Sequence, residues 1–309
     1  MSTTIVRAAP GEPARPAAST AVVSAARAGV RTPFRDAVRR FFSNPSAIVG
    51  LAVVLGFALL AITAPLVAPY GADQQSLSDR LQPPSNQHFF GTDDLGRDVL
   101  SRVVYGAQIS LRVGVLAVVI ALVTGSALGL IAGYAGGWLD GAFMRFMDVV
   151  LAFPSTLMAI GIVAMRGPGL EMALVAIGIV NIPTYARLAR SMAISLRERE
   201  FVVAARCLGA GGPRMIGVHI LPNAMSPLIV QATLGIATAI IEAAGLGFLG
   251  LGAQPPTPEW GLMLTNGRAF LLNAPWAMIF PGCAILLTTL AFNLVGDGVR
   301  DALDPSLRG

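Results

Sequence analysis

Long apolar runs separated by shorter polar segments occupy most of the chain after residue 46. A helix needs about 20 apolar residues to cross the roughly 30 Å hydrocarbon core of a bilayer. Six runs are close to that length, although Pro154 and Pro183 interrupt two of them. The pattern predicts an all-α integral membrane protein. Its six transmembrane helices are expected at Ala47–Val67, Val113–Tyr134, Met147–Met165, Met172–Leu188, Pro227–Leu246 and Trp276–Val295.

The arginines set the expected orientation of these helices. Seven of them lie in residues 1–46 and six in residues 187–226, whereas six are spread over all the connections on the other side. Positively charged residues concentrate on the cytoplasmic side of membrane proteins. Both termini and the 187–226 loop are therefore expected to be cytoplasmic.

The two ends of the chain differ from its apolar body. Residues 1–46 are rich in Ala, Arg and Pro and form a basic tail, and residues 299–309 form a short C-terminal tail. Within the first tail, the stretch RTPFRDAVRRFF at 31–42 combines Phe and Arg at helical spacing. It fits a short interfacial helix with Phe toward lipid and Arg toward headgroups. A disordered basic segment is the alternative interpretation.

Small residues recur at every fourth position of the second apolar run. This spacing keeps them on one slowly drifting face of a helix and allows another backbone to approach closely. We expect a packing seam, either within the bundle or against a second subunit, and chance in a chain with 34 Gly is the alternative. The six positions are Ala117, Ala121, Gly125, Gly129, Gly133 and Gly137.

Composition agrees with a membrane protein and excludes some chemistry. Charged residues make up 13% of the chain, whereas soluble domains contain about 25%. All 22 basic residues are Arg. Without Lys, the chain has neither the lysine of a Walker A phosphate loop nor the amine required for a Schiff base. If the protein uses ATP, a partner must bind and hydrolyse it.

The polar segment between the fourth and fifth runs has a regular pattern. The acidic residues of ERE at 198–200 favour the start of a helix that continues over FVVAARCLGA. Gly209 suits the end of that helix, and the following Gly-Gly-Pro suits a turn. A second short helix is expected to begin at Pro213 and to stop at Pro222. The segment is thus predicted to be a helix–turn–helix that offers small and apolar residues to a partner.

This segment resembles the EAA loop of ABC importer permeases, in which Glu-Ala-Ala is followed by three residues, Gly, nine residues and Ile-x-Leu-Pro. The matching positions are Ala204, Ala205, Gly209, Leu221 and Pro222. Val203 stands in place of the Glu, and His219 in place of the Ile. In that family the loop forms the coupling helix that inserts into a cleft of the ATP-hydrolysing subunit. The resemblance implies the same role here.

Four further stretches resemble the C-type permease subunit of dipeptide and oligopeptide importers. They are HFFGTDDLGRDVLSRVVYGAQISLRVG at 88–114, MDVVLAFPS at 147–155, GLGFLGLGAQPPTPEWG at 245–261 and FNLVGDGVRDALDPSLRG at 292–309. The resemblance begins at about Asn44 and implies the type I importer fold in a bacterial inner membrane. Residues 47–107 would form the first helix with an outer segment. Residues 108–298 would form the transmembrane domain that contains the coupling loop.

The same resemblance implies a transport assembly rather than an enzyme. The expected partners are a second homologous permease, one or more ABC ATPase subunits, an extracytoplasmic substrate-binding protein and the lipid bilayer, with no nucleic acid. ATP and Mg would be bound by the ATPase, so this chain would hold no cofactor, no metal and no catalytic residue. Dipeptides and oligopeptides are the expected cargo. Nickel chelates or glutathione are the alternatives.

Two other classes of protein are alternatives to this interpretation. An intramembrane enzyme would need a metal motif or a nucleophile–base pair, and the sequence has no His-Glu-x-x-His. An ion-driven secondary carrier would use buried ionisable residues, but the patterned loop would then have no explanation. Uptake that requires ATP and persists after the ion gradient is collapsed would separate such a carrier from an ABC importer.

Glu242 is the most unusual residue in the apolar runs. An ionisable side chain within a membrane span is costly and usually faces a partner group or a water-filled path. It is expected either to line the translocation path or to make a structural contact, for which Arg112 is the suggested partner. Both interpretations remain open from the sequence.

Two polar segments expected on the outer side, at 88–98 and 252–261, each allow more than one interpretation. His88 with Asp93, Asp94 and Asp98 suggests a metal site, but a turn followed by a helix capped by Thr92, Asp93 or Asp94 is the better interpretation. The stretch GAQPPTPEWG at 252–261 is too polar for a span and fits an outer loop or a re-entrant piece. Trp260 and Trp276 suit anchors at the membrane interface.

Overall fold

A computed structural model describes residues 33–303, and the regular structure in that range is helical. A π-helix, Met215–Ile220, connects α8 to α9. Single 3-10 turns occur at 77–79 and 268–270. The α-helices are α1 Pro33–Phe41, α2 Pro45–Val67, α3 Val99–Ala135, α4 Gly137–Leu151, α5 Ser155–Arg166, α6 Leu170–Arg197, α7 Glu200–Cys207, α8 Gly212–Arg214, α9 Leu221–Phe248, α10 Trp260–Gly267 and α11 Trp276–Leu303.

Five continuous helical rods are long and apolar enough to cross a membrane, and the bent pair α4–α5 would supply a sixth crossing. The rods are α2, α3, α6, the α8–π–α9 unit and α11. Each contains one of the apolar runs predicted from the sequence. α3 has 37 residues and extends well beyond the predicted Val113–Tyr134. Its first turns carry polar residues such as Arg102 and Ser110, which a search for apolar residues does not include.

The predicted third span, Met147–Met165, is not one helix. α4 ends at Leu151, α5 begins at Ser155, and the two axes meet at 89°. Pro154 has no N–H to donate to the preceding turn, and it disfavours helical dihedral angles at Phe153. Pro183, in contrast, lies inside the continuous helix α6.

α3 and α6 run parallel and form the most extensive helix–helix contact of the described residues. A Cβ atom on Gly129 would lie 2.1 Å from the Ala186 carbonyl oxygen, and one on Gly125 would lie 2.6 Å from that of Ile182. The small residues therefore face α6 of the same chain. Gly137 lies outside this contact, because it begins α4 and its Cβ would have no neighbour within 4 Å.

The remaining rods pack around this pair. α11 contacts both α9 and α2, and α9 also contacts α3. The short helix α1 lies against the end of α11, where the ring of Phe41 approaches Gly298. Asn44 Nδ2 donates to Asp301 Oδ2 at 3.3 Å beside this contact. Residues 1–32 of the basic tail and residues 304–309 lie outside the described range.

The connection between α2 and α3 is fixed by buried polar contacts. Asp98 caps α3, because its carboxylate accepts a hydrogen bond from the Ser101 backbone N–H at 2.7 Å. His88 Nδ1 lies 2.9 Å from the other oxygen of Asp98. The His88 ring is thus engaged in a local pair that holds the connection against the start of the helix.

The expected cap among Thr92, Asp93 and Asp94 is therefore wrong. Asp93 accepts backbone N–H bonds from Leu95 and Arg97, each at 2.9 Å, and so closes a turn before the helix starts. The backbone therefore makes a turn over residues 93–97 first, and it becomes helical only at Val99.

Trp260 differs from the expectation. Trp260 is fully buried, and its indole Nε1 donates to the Val103 carbonyl oxygen at 3.0 Å. Trp276 Nε1 donates to the Thr92 carbonyl oxygen at 3.0 Å. Trp260 is thus a core residue that joins α10 to α3, not an interfacial anchor. The GAQPPTPEWG stretch leads directly into this packed helix.

Candidate functional site

The first candidate region is the exposed connection between α6 and α9. α7 ends in a Schellman motif, in which Ala210 N–H donates to the Ala205 carbonyl at 3.1 Å and Gly209 N–H to the Arg206 carbonyl at 3.0 Å. Gly209 has a φ of +85°, a left-handed conformation that glycine adopts without a steric penalty. The Gly209 position of the sequence pattern therefore has a local structural cause.

Three buried apolar side chains attach this connection to the bundle, and a different set is exposed. Val202, Met215 and Ile220 have no accessible surface. Leu208 is 89% exposed, and Phe201, seven residues earlier on the same face of α7, is also exposed. The connection thus carries an uncovered apolar ridge formed by Phe201 and Leu208, which is a common property of partner-binding surfaces.

The connection is positioned against the end of α3. The guanidinium of Arg206 lies 5.9 Å from the centre of the Tyr134 ring. A Cβ on Gly212 would lie 3.4 Å from the same ring. Tyr134 thus contacts both helices of the connection and links their position to α3.

The residues of the sequence pattern fall in two places. Ala204, Ala205 and Gly209 lie on α7 and its end, where Ala204 and Gly209 are exposed. Leu221 and Pro222 lie in the first turn of α9. The predicted stop at Pro222 is wrong, because the helix continues from Gly212 to Phe248.

The π-helix explains how the rod continues through Pro222. Leu221 N–H donates to the Ile216 carbonyl, five residues earlier, instead of the usual four. Pro222 has no N–H to donate to the turn before it, and the π turn lies at the point where that hydrogen bond is missing. Such π segments are often found at functional sites. Here the segment joins the exposed connection directly to a membrane-spanning rod.

A second candidate region is a polar face shared by α6 and α9. Asn181 and Thr184 lie on α6, and Gln231 and Thr238 lie on α9. These four side chains border a cavity of about 200 Å³ between the helices. Polar groups at membrane depth face a partner or water rather than lipid. The face is therefore a candidate lining of a solute path.

Glu242 extends this face, four residues beyond Thr238 on α9. Asn181 Nδ2 donates to Glu242 Oε2 at 2.9 Å, and Ser155, the first residue of α5, lies close to this carboxylate. Glu242 borders a second cavity, of about 210 Å³, with Thr156 on the opposite wall.

The suggested ion pair between Glu242 and Arg112 is wrong, because Arg112 takes part in none of the ion pairs of residues 33–303. The partner Asn181 could not be chosen from spacing, since it lies 61 positions away from Glu242.

Sequence reasoning also missed the ion pairs that attach α4 to α6. Arg190 donates to both carboxylate oxygens of Asp140, at 2.5 and 2.7 Å. Arg187 Nη2 donates to Asp148 Oδ1 at 2.6 Å. The sequence does show two acidic residues, Asp140 and Asp148, in a short apolar segment. In the structure, Met147 is the only buried residue of α4, so these ion pairs are its main attachment to α6.

At the other end of the bundle, buried charges hold the connections between the helices together. Arg102 donates to the carbonyl oxygens of Ala72 at 2.8 Å and Pro256 at 3.3 Å. Glu259 accepts the N–H groups of Gly261 and Leu262, both at 2.8 Å, and so caps α10. Burial raises the pKa of the Glu259 carboxyl above its ordinary value.

Comparison with known proteins gives a consistent result. Residues 125–309 match the family described as binding-protein-dependent transport system inner membrane component. Residues 32–84 match the N-terminal transmembrane domain of oligopeptide transport permease C.

Full-length relatives carry related names. The chain is 55% identical, over 90% of its length and 91% of the relative, to the dipeptide transport system permease protein DppC of Alkalihalophilus pseudofirmus. It is 47% identical to the di/tripeptide permease protein DppC of Pseudomonas aeruginosa, over 90% of the chain and 93% of the relative. It is also 47% identical to the glutathione permease protein GsiD of an Escherichia coli strain, over 91% of the chain and 93% of the relative.

Proposed function

Because this chain belongs to the family of binding-protein-dependent transport inner membrane components, we propose that it imports dipeptides and oligopeptides through a path formed with a second homologous permease. The chain is a permease subunit of an ABC importer and a multi-pass membrane protein. The proposal adds the cargo, the partners and the residues that couple them.

The cargo proposal is supported by the relatives, which are named for dipeptides, di- and tripeptides, and glutathione. These solutes share a free amino group and free carboxylates on a short peptide-like backbone. Glutathione is therefore the nearest alternative cargo, and nickel chelates are a more distant one. A binding protein on the outer face would select among them before delivery.

The coupling proposal rests on one observation, the uncovered apolar ridge of α7 that ends at Leu208 and Gly209. We propose that this ridge, with Ala204 and Ala205, inserts into a cleft of a separate ATPase that binds ATP and Mg. The connection faces the cytoplasm in this arrangement, with both termini on the same side. Movement of α7 would pass through the π-helix to α9 and through Tyr134 to α3.

A matched pair of substitutions tests the coupling surface. Leu208 is 89% exposed at the α7 end of the bundle, and Leu272 is 96% exposed at the opposite end, between α10 and α11. Leu208→Asp should remove the co-purifying ATPase and abolish ATP-dependent uptake of a labelled dipeptide. Leu272→Asp should retain both, because it changes an equally exposed leucine away from the ridge.

Two results would contradict the proposal. If Leu208→Asp retains the ATPase at the wild-type ratio after detergent extraction, the ridge is not the coupling surface. If the wild-type complex takes up dipeptides without ATP and stops when the ion gradient is collapsed, an ion-driven carrier replaces the ABC account. Uptake of glutathione in preference to dipeptides would change only the cargo.

A further inference from the structure

Glu242 differs from Asp140, Asp148 and Glu259 because, in the described residues, its carboxylate has neither an ion-pair partner nor a backbone N–H donor. Asp140 pairs with Arg190, Asp148 pairs with Arg187, and Glu259 accepts two backbone N–H groups. In the described part of the chain, the contacts of Glu242 come from the neutral side chains of Asn181 and Ser155.

Glu242 also lies within a membrane-spanning rod, six residues or about 9 Å before the end of α9. The partner Asn181 lies eleven residues into α6, about 16 Å along the helix axis. Asp301 of α11, in contrast, contacts Asn44 just before the start of α2. A carboxylate at such depth is costly unless an opposite charge or water accompanies it.

The surroundings of Glu242 leave space for a ligand. The cavity of about 210 Å³ beside it is bounded by Thr156 and Ile160 of α5, by Gly245 of α9 and by Leu249, which directly follows α9. Thr238, one turn before Glu242, borders the neighbouring polar cavity. The carboxylate therefore ends the polar face at a pocket whose other walls are mostly apolar.

We propose that Glu242 and Asn181 form a subsite on the solute path that receives the ammonium group of the transported molecule. The proposal rests on the proposed function, because dipeptides, oligopeptides and glutathione all carry a free ammonium group. The Glu242 carboxylate supplies the opposite charge, and the Asn181 amide orients it by holding Oε2. The apolar walls of the pocket accept side chains of differing size without selecting among them.

Uptake by the complex in proteoliposomes gives the first test. Glu242→Gln keeps a hydrogen-bond acceptor for Asn181 but removes the charge, so uptake of labelled glycylglycine should fall about tenfold or more. Glu171→Gln is the matched control, since Glu171 is exposed and lies ten residues, about 15 Å, from Asn181 along α6. The control should transport like wild type.

A labelling assay reads the subsite without transport. In a background with Cys207→Ser and Cys283→Ser, Thr156→Cys places a thiol on the wall of the pocket. Glycylglycine at millimolar concentration should slow its reaction with a maleimide, whereas N-acetylglycylglycine and sodium chloride should not. Glu242→Gln should abolish the protection. Equal protection by both peptides, protection by sodium alone, or a thiol that never reacts would overturn the proposal.

A third variant covers the case in which Glu242→Gln fails to assemble. Thr238→Lys places a tethered ammonium one helical turn from Glu242, where it should occupy the subsite and block uptake. Thr238→Met, of similar length but uncharged, should lower uptake much less than Thr238→Lys does. If both variants transport equally, the ammonium subsite is wrong. If wild type takes up no dipeptide at all, the proposed cargo fails, and the labelling assay still reports on the subsite.

Discussion

Gly129 offers the sharpest test of the contact between α3 and α6. A Cβ atom at this position would lie 2.1 Å from the Ala186 carbonyl oxygen and 2.9 Å from the Ala189 Cβ. Gly129→Ala should therefore force the two helices apart. The nearest obstacle is backbone, which cannot rotate away, so we expect a cost near the upper end of the about 1–3 kcal/mol typical of overpacking.

This cost should be visible in the thermal stability of the purified chain. With a shift of about 2–4 °C for each kcal/mol, the melting temperature should fall by about 5–10 °C. Gly133→Ala should cause a smaller fall, because its nearest neighbour would be 2.7 Å away, at the Arg190 carbonyl oxygen. Fluorescence-detected size-exclusion chromatography after graded heating measures the shift in detergent.

Gly161→Ala is the control for the effect of alanine itself. Gly161 lies inside α5, and an added Cβ would meet nothing within 4 Å. Alanine should be neutral or stabilising there by about 0.5–1 kcal/mol, because glycine is the poorer helix former. If Gly129→Ala melts within about one degree of both wild type and this control, α3 and α6 are not in close contact in the protein.

Three further predictions concern local contacts. Asp98→Ala should lower stability by about 0.5–2 kcal/mol through loss of the α3 cap, whereas Asp94→Ala should have little effect; thermal melts that rank them equally would contradict the assigned cap. Glu259→Gln should cost about 1–3 kcal/mol, because one of two buried N–H groups loses its acceptor, and Glu198→Gln, on an exposed side chain, is the control in the same melts. Cys207 is exposed on α7 and should react rapidly with maleimide in the free permease but slowly in the ATPase-bound complex; equal rates would place the ATPase elsewhere.

The sequence alone determined the features that depend on local rules. A bilayer imposes a minimum length on every span, so the apolar runs are enough to locate the five continuous rods. Backbone geometry made Gly209 a helix end, because only glycine enters the left-handed region freely. Proline alone did not decide continuity, since the predicted Met147–Met165 span breaks at Pro154 whereas α6 continues through Pro183. The order and spacing of motifs also sufficed to identify the family.

The tertiary structure decided which surfaces meet. Small residues at every fourth position indicate a close helix–helix contact but do not identify the partner helix. Only the fold shows that Gly125 and Gly129 pack against α6 of the same chain. Glu242 bonds to Asn181, 61 positions away, rather than to Arg112. The physical reason is that hydrogen bonding along a helix and the thickness of the bilayer constrain each segment separately. The pairing of side chains between helices depends on how the rods pack together, and the sequence encodes that only through all of its contacts at once.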